Sequence, residues 1–223
     1  MLAAKLFFLT LCLSLLSLLA YAGPPVGSVA FYSDGTVEKL IAYDGTRAVW
    51  EDTRKRRHTH GNHPLSPVSP VSNREDLLRP KRGYVVEVKS GNPARLVGAP
   101  AGSAERFVLR RIYRDGRRTL REWQCQSLGK GSFALEGRVL GTERYACLRS
   151  YRNSSGSSLR KDERLVSYAP SLNLVVNLER TKTKSYRKRS DKTSTTTRTL
   201  KHLLQPKDAS AKRIGQIHRQ LAK

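Results

Sequence analysis

Three histidines, His58, His60 and His63, lie close together in the stretch HTHGNH, which has the form H-x-H-x-x-H. Imidazole nitrogens are common ligands of zinc, copper and nickel. A catalytic zinc needs ligands that surrounding hydrogen bonds hold rigidly. Here the run RKRR precedes the histidines and a proline repeat follows them. The stretch therefore predicts a solvated loop with at most a weak metal site, and a metal-dependent hydrolase is the alternative.

The same six residues resemble the H-x-H-x-D-H signature of the metallo-β-lactamase superfamily. His58, His60 and His63 take the histidine positions, and Asn62 stands where that family has aspartate. The resemblance implies a hydrolase whose metal activates a water molecule. It covers these six residues only, and Asn62 lacks the carboxylate expected to bind a second metal or handle that water. We therefore favour a protein without a cofactor and without enzymatic activity.

Arginines are concentrated in a predicted β-hairpin formed by Glu105–Tyr113 and Arg117–Cys125. Guanidinium groups form paired hydrogen bonds with phosphate or carboxylate, and neighbouring aromatic rings can stack on a base or a sugar. A second basic concentration lies near the C-terminus. The residues expected to bind anions are Arg106, Arg110, Arg114, Arg117, Arg118, Arg121, Arg187, Lys188 and Arg189. The expected stacking residues are Tyr113 and Trp123.

The formal net charge of +24 and the pI near 10.6 favour polyanionic partners. The N-terminus suggests the compartment in which the protein contacts such partners. Lys5 precedes an apolar run that ends at the A-x-A-like site Ala20-Tyr21-Ala22. This pattern predicts a signal peptide over residues 1–22 and no integral span in the mature chain. We expect a periplasmic or extracellular protein.

Cleavage after Ala22 would remove Cys12 and leave two cysteines, Cys125 and Cys147. An even pair in an exported chain predicts a disulfide.

Asp-Gly pairs between alternating runs give the strongest structural signal, at Asp34-Gly35, Asp44-Gly45 and Asp115-Gly116. Such pairs are typical of hairpin turns. Together with further alternating runs, among them Phe133–Leu140, they predict an all-β fold, mainly an antiparallel sheet or open barrel. We expect one β domain over residues 23–205, within which 53–82 form an exposed proline-rich connection.

Residues 206–223 are predicted to form a short basic helix or tail, whose Ile214, Ile217 and Leu221 share one face. The function that these features favour is contact with an anionic envelope polymer or membrane surface, such as lipopolysaccharide, anionic lipid or acidic polysaccharide. Extracellular nucleic acid is the alternative partner.

Overall fold

The computed structural model describes residues 23–61, 64–69, 71–152, 158–186 and 190–221, so the predicted signal peptide lies outside the described residues. Antiparallel strands dominate: β1 (Val29–Tyr32), β2 (Val37–Tyr43), β3 (Arg47–Asp52), β4 (Arg56–Gly61), β5 (Val71–Asp76), β6 (Tyr84–Ser90), β7 (Ala104–Tyr113), β8 (Arg118–Leu135), β9 (Arg138–Arg152), β10 (Ser158–Ala169), β11 (Leu174–Tyr186) and β12 (Lys192–Leu204). A single α-helix of the described chain, α1 (Ala211–Leu221), follows them. The predicted all-β class with a short C-terminal helix is confirmed.

The sheet closes into a barrel because β1 pairs with both β2 and β12. Every other strand pairs with its neighbours in chain order. Closure leaves no sheet edge with unpaired backbone groups. Alternation along each strand then sends one set of side chains inward and the other outward.

The three Asp-Gly turns form as predicted, with Gly35, Gly45 and Gly116 at φ of +77°, +85° and +83°. In each turn the aspartate side chain accepts a backbone hydrogen bond from the residue two positions later. These turns connect β1 to β2, β2 to β3, and β7 to β8.

The predicted strand Phe133–Leu140 is wrong, because a hairpin turn interrupts it. Leu135 ends β8 and Arg138 begins β9, with Glu136 and Gly137 between them at φ of +49° and +77°. Two successive positive φ values suit the twist of a tight hairpin. The apolar alternation continues across this turn, so pattern alone does not reveal it. Leu135, the last residue of β8 before this turn, packs in the barrel core.

The predicted exposed connection over residues 53–82 is also wrong, because this stretch contains β4 and β5. Both strands consist almost wholly of polar residues, so neither shows apolar alternation. Polar side chains can face inward here because this part of the barrel interior is itself polar. His58 and His60 consequently belong to a strand and not to a solvated loop.

The proline repeat that links β4 to β5 is buried as well. In this segment, defined here as the proline loop (residues 64–69), Ser66, Pro67, Val68 and Ser69 are all buried. Proline has no backbone N–H, so its burial leaves fewer donors to satisfy. The carbonyl of Val68 accepts a hydrogen bond of 3.1 Å from Arg164 Nη1 on β10. The proline loop thus packs against the barrel interior.

The C-terminal helix lies on the outside of the barrel. Its N-terminus is capped by Ser210, whose Oγ accepts a hydrogen bond from the Arg213 amide. Ile217 is 2% exposed and packs with Val29, Phe31 and Leu204. The apolar stripe therefore covers the outward face of β1 and β12.

Candidate functional site: arginines inside the barrel

The outward arginines of the β7–β8 hairpin are mostly paired with carboxylates. Arg110 Nη2 lies 2.5 Å from Glu87, and Arg117 Nε lies 2.7 Å from Asp115. Longer contacts of 3.9 Å and 3.7 Å join Arg106 to Glu122 and Arg114 to Glu75. Arg118 is exposed. The outer face of this hairpin is therefore close to electrically balanced.

Other arginines point into the barrel, where apolar side chains would be expected. On β7, Arg111 shares the inward face with Phe107 and Leu109, which are buried. We take one such residue from each of strands β4, β5 and β7 to β12; β10 carries a second, Arg160, near its start. We call this set the arginine layer; its members are Arg56, Arg74, Arg111, Arg121, Arg149, Arg164, Arg180 and Arg198.

Asp162 on β10 is the carboxylate at the centre of one part of the layer. It is 1% exposed and accepts hydrogen bonds of 2.8 Å and 2.5 Å from Arg180, and of 3.2 Å and 3.3 Å from Arg164. Arg149 lies 3.8 Å away. Burial alone would raise the pKa of Asp162, but the hydrogen bonds from Arg180 and Arg164 outweigh burial and lower the pKa to about 2. One carboxylate thus serves three guanidinium groups.

Two further arginines of the layer have a carboxylate each. Arg198 donates a hydrogen bond of 2.8 Å to Glu38 and lies 3.7 Å over the ring of Tyr32. Arg56 donates one of 2.6 Å from Nε to Asp52. These two local charges are therefore neutralised.

The remaining members, Arg74, Arg111 and Arg121, have no such partner. Within the described residues no carboxylate lies within 4.0 Å of any of them. Arg111 and Arg74 instead approach the ring of Tyr84, at 4.4 Å and 5.6 Å from its centroid. Burial, followed by the positive charges of Arg111 and Arg149, lowers the pKa of Arg121 to about 10. Like charges are thus held together in a partly desolvated place.

A cavity of about 220 Å³ adjoins Arg111 inside the barrel, whereas Arg74 and Arg121 do not line it. Arg111, Arg164 and Arg198 contribute its cationic wall, and Tyr84 and Tyr32 contribute aromatic rings. Val68 of the proline loop and Val166, Val175 and Leu178 form an apolar part. Glu38, the partner of Arg198, also lines the cavity, which therefore joins a mainly cationic wall to an apolar one.

His58 and His60 also line this cavity, since alternate residues of β4 face the same side. His60 is 6% exposed, and its Nδ1 has no hydrogen-bond partner. Burial is the main cause that lowers the pKa of His60 to about 4, and burial also lowers the pKa of His58. Both imidazoles are consequently neutral near pH 7.

The predicted three-histidine metal site is not assembled by the part of the chain that the structure describes. His58 and His60 face the same cavity, whereas His63 lies outside the described residues. Among described residues, no group of three or more histidine, cysteine, aspartate or glutamate side chains could hold a metal ion.

The predicted stacking residues both face the interior. Trp123 is 2% exposed and is covered by the guanidinium groups of Arg149 and Arg164, at 5.4 Å and 4.6 Å from its ring. Tyr113 packs edge to face on Tyr84 at 5.5 Å and carries Arg117 at 4.9 Å. A nucleic-acid base outside the barrel does not meet Trp123, because the ring is buried and the barrel wall lies between them.

The predicted cysteine pair forms a disulfide. Cys125 on β8 and Cys147 on β9 are register partners, and their sulfur atoms lie 2.07 Å apart. Both side chains are buried beside Trp123 in the core.

The structure redistributes the basic residues that the sequence singled out. Arg106, Arg110, Arg114 and Arg117 lie outside in ion pairs, Arg121 turns inward, and Arg187, Lys188 and Arg189 lie outside the described residues. Sequence reasoning missed Arg56, Arg74, Arg149, Arg164, Arg180 and Arg198. A usable signal existed at Arg111, which alternation places on the same face as Phe107 and Leu109.

No helix within the described ranges is long and apolar enough to cross a membrane.

Comparison with known proteins gives distant structural similarity. A crystal structure of the hypothetical lipoprotein YmcC from Escherichia coli (K12) is 10% identical, covers 83% of this chain and 89% of that chain, and gives a TM-score of 0.44. No protein-family model and no curated protein matches the chain. At this level of similarity, a role for the arginine layer has to be argued from the residues of this chain.

Proposed function

We propose that this protein is exported and binds anionic components of the cell envelope, such as lipopolysaccharide, anionic lipid or acidic polysaccharide, without catalysing a reaction. The sequence supports export through the signal-peptide pattern of residues 1–22, and the disulfide suits an oxidising compartment. The net charge of +24 supports an anionic partner.

The observation that carries the proposal is the excess of guanidinium groups over carboxylates in the arginine layer. A buried charge without a partner is costly, so an arrangement of this kind is expected to be completed by an external anion. Arg111 is the clearest member because it lines the cavity and lacks a carboxylate partner. The outward arginines have less to offer, since carboxylates of the same barrel already accompany four of them.

The binding test compares an inward with an outward arginine of the same strand. Purified protein is titrated with vesicles that contain lipopolysaccharide or phosphatidylglycerol, with an acidic polysaccharide, and with vesicles of neutral phosphatidylcholine. We expect binding to the anionic partners alone, weakened by added salt because screening reduces charge attraction. Arg111→Gln should weaken it more than Arg106→Gln, its exposed control.

Absence of binding to every anionic partner would contradict the proposal. Duplex DNA is included as a competitor because extracellular nucleic acid is the alternative partner. Displacement of lipopolysaccharide by DNA at equal charge concentration would favour that alternative.

A further inference from the structure

Two guanidinium groups of the arginine layer lie over one aromatic ring, and a third interacts with that ring electrostatically. Arg111 lies 4.4 Å from the centroid of Tyr84, and Arg74 lies 5.6 Å from it. Arg121 interacts electrostatically with Arg111, Arg149, Tyr113 and Tyr84, which places it in the same cluster. We call Arg74, Arg111 and Arg121 the guanidinium cluster. Cation–π contacts reduce the cost of this arrangement but leave its positive charge uncompensated.

Buried polar atoms around the cluster lack hydrogen-bond partners. Arg74 Nε is one, and Thr119 Oγ1 on β8 is another. Thr119 is the register partner of Arg111, so its hydroxyl belongs to the same part of the interior. Buried donors and acceptors are normally satisfied. These atoms therefore mark places where an incoming group with several acceptor oxygens could complete the hydrogen bonding.

The adjoining cavity limits what such a group can be. Its volume of about 220 Å³ is below the 300 to 1,000 Å³ typical of pockets for drug-sized ligands. In its cationic wall, Arg164 pairs with Asp162 and Arg198 pairs with Glu38. Arg111 is therefore the arginine of this wall that has no carboxylate partner. The cavity thus fits one small charged group, with apolar contacts available from Val166, Val175 and Leu178.

We propose that the guanidinium cluster, with Tyr84 at its centre, binds the phosphate group of a phosphomonoester. This inference rests on the proposed function and names the chemistry of the anion. A phosphomonoester carries between one and two negative charges near neutral pH and presents three terminal oxygens. A carboxylate carries one charge and two oxygens, so it would leave more of the cluster unpaired. Arginine is well suited to phosphate because its planar donors bind in pairs.

The test measures binding of glycerol 3-phosphate and inorganic phosphate to the purified protein by isothermal titration calorimetry. Glucuronate serves as a carboxylate of similar size. We expect saturable binding of glycerol 3-phosphate with one site per chain, and binding of glucuronate at least ten-fold weaker. Arg111→Gln should weaken phosphate binding at least ten-fold, whereas Arg106→Gln, an outward residue 70% exposed on the same strand, should leave it unchanged.

A second readout separates binding from folding. Because Arg111 meets other cations without a counter-charge, Arg111→Gln should raise the melting temperature of the ligand-free protein or leave it unchanged. The same variant should lose the stabilisation that phosphate gives to the wild type. If Arg111→Gln fails to fold, Arg121→Gln replaces it with the same expectation for phosphate binding.

Phosphatidic acid vesicles, compared with phosphatidylglycerol vesicles, distinguish the two sources of a phosphomonoester. Binding of glycerol 3-phosphate identifies a soluble ester, and Arg111-dependent preference for phosphatidic acid alone identifies a lipid headgroup; both support the site. No saturable binding of either phosphate source, or equal binding by Arg111→Gln, would overturn it. Salt-sensitive attachment to anionic vesicles that persists in Arg111→Gln would overturn this site while keeping the proposed function.

Discussion

The two faces of strand β7 carry arginines in opposite electrostatic situations. On the outer face, Arg110 and Arg106 lie beside Glu87 and Glu122, where water would in any case screen them. On the inner face, Arg111 lies beside other cations and Tyr84, where water screens less. Stability alone would favour the reverse distribution, with the pairs inside and the unpaired charges outside. This difference is the reason for proposing that the inner face binds an anion from another molecule.

Removing the central inner carboxylate should have the largest effect. Asp162→Asn leaves Arg149, Arg164 and Arg180 facing one another without their shared counter-ion. Breaking a buried pair in this way costs about 3 to 5 kcal/mol of unfolding free energy, measured by urea denaturation. The outer control is Asp115→Asn, which removes the exposed partner of Arg117. Equal stability of the two variants would show that the faces do not differ.

Removing the disulfide tests how much the covalent link between β8 and β9 contributes to the stability of the barrel. Its cysteines are 22 positions apart, and the chain-entropy account gives about 3 kcal/mol for a loop of this order. The double variant Cys125→Ala and Cys147→Ala should lose that amount in urea denaturation, and reduced wild-type protein should match it. A loss below about 1 kcal/mol would contradict the expected stabilisation.

The buried histidine makes stability depend on pH in a defined window. The pKa of His60 is about 4 in the folded protein against 6.5 normally, so the unfolded chain binds the proton more tightly. The stability contributed by neutral His60 is complete above pH 6.5 and is lost as pH falls towards 4. A shift of this size corresponds to about 3 kcal/mol.

The measurement is urea denaturation at several pH values between 7 and 4, with His60→Leu as the comparison. The wild type should lose stability across this window, and the variant should lose less, because its position 60 no longer titrates. Parallel pH curves for the two proteins would exclude His60 as the cause.

The smallest effect is expected on the outer face. Arg110→Gln breaks a pair whose side chains are 31% and 42% exposed, and such pairs contribute about 0.2 to 1 kcal/mol. Its unfolding free energy and its binding to anionic vesicles should both stay close to wild type. A loss of binding as large as that of Arg111→Gln would indicate that the binding site lies on the outer face of the β7–β8 hairpin.

Much of the fold follows from local signals in the sequence. The Asp-Gly pairs identify their turns because few residues tolerate the required φ. Leu174, Val176 and Leu178 recur at every second position, which is typical of a half-buried strand, and they lie on β11. The disulfide was predictable because only two cysteines follow the apolar N-terminal run.

The site was harder to predict because it reverses the usual rule that charges face water. Strand β4 reads RRHTHG and has no apolar alternation, since its inward residues meet Asp52 and a cavity instead of an apolar core. Alternation on β7 places Arg110 and Arg111 on opposite faces, as the structure has them. Only the closed barrel reveals that Arg74 and Arg111 meet at the ring of Tyr84, because residues far apart in the chain come together there.

Native mass spectrometry of the protein purified from its exported fraction tests the central claim most directly, namely that the arginine layer holds an external anion. We expect a discrete adduct whose mass corresponds to a phosphate-containing molecule, and we expect Arg111→Gln to lose it while Arg106→Gln keeps it. A wild-type protein that is bare under conditions that preserve non-covalent complexes, and that gains no adduct on addition of glycerol 3-phosphate or anionic lipid, would contradict the account.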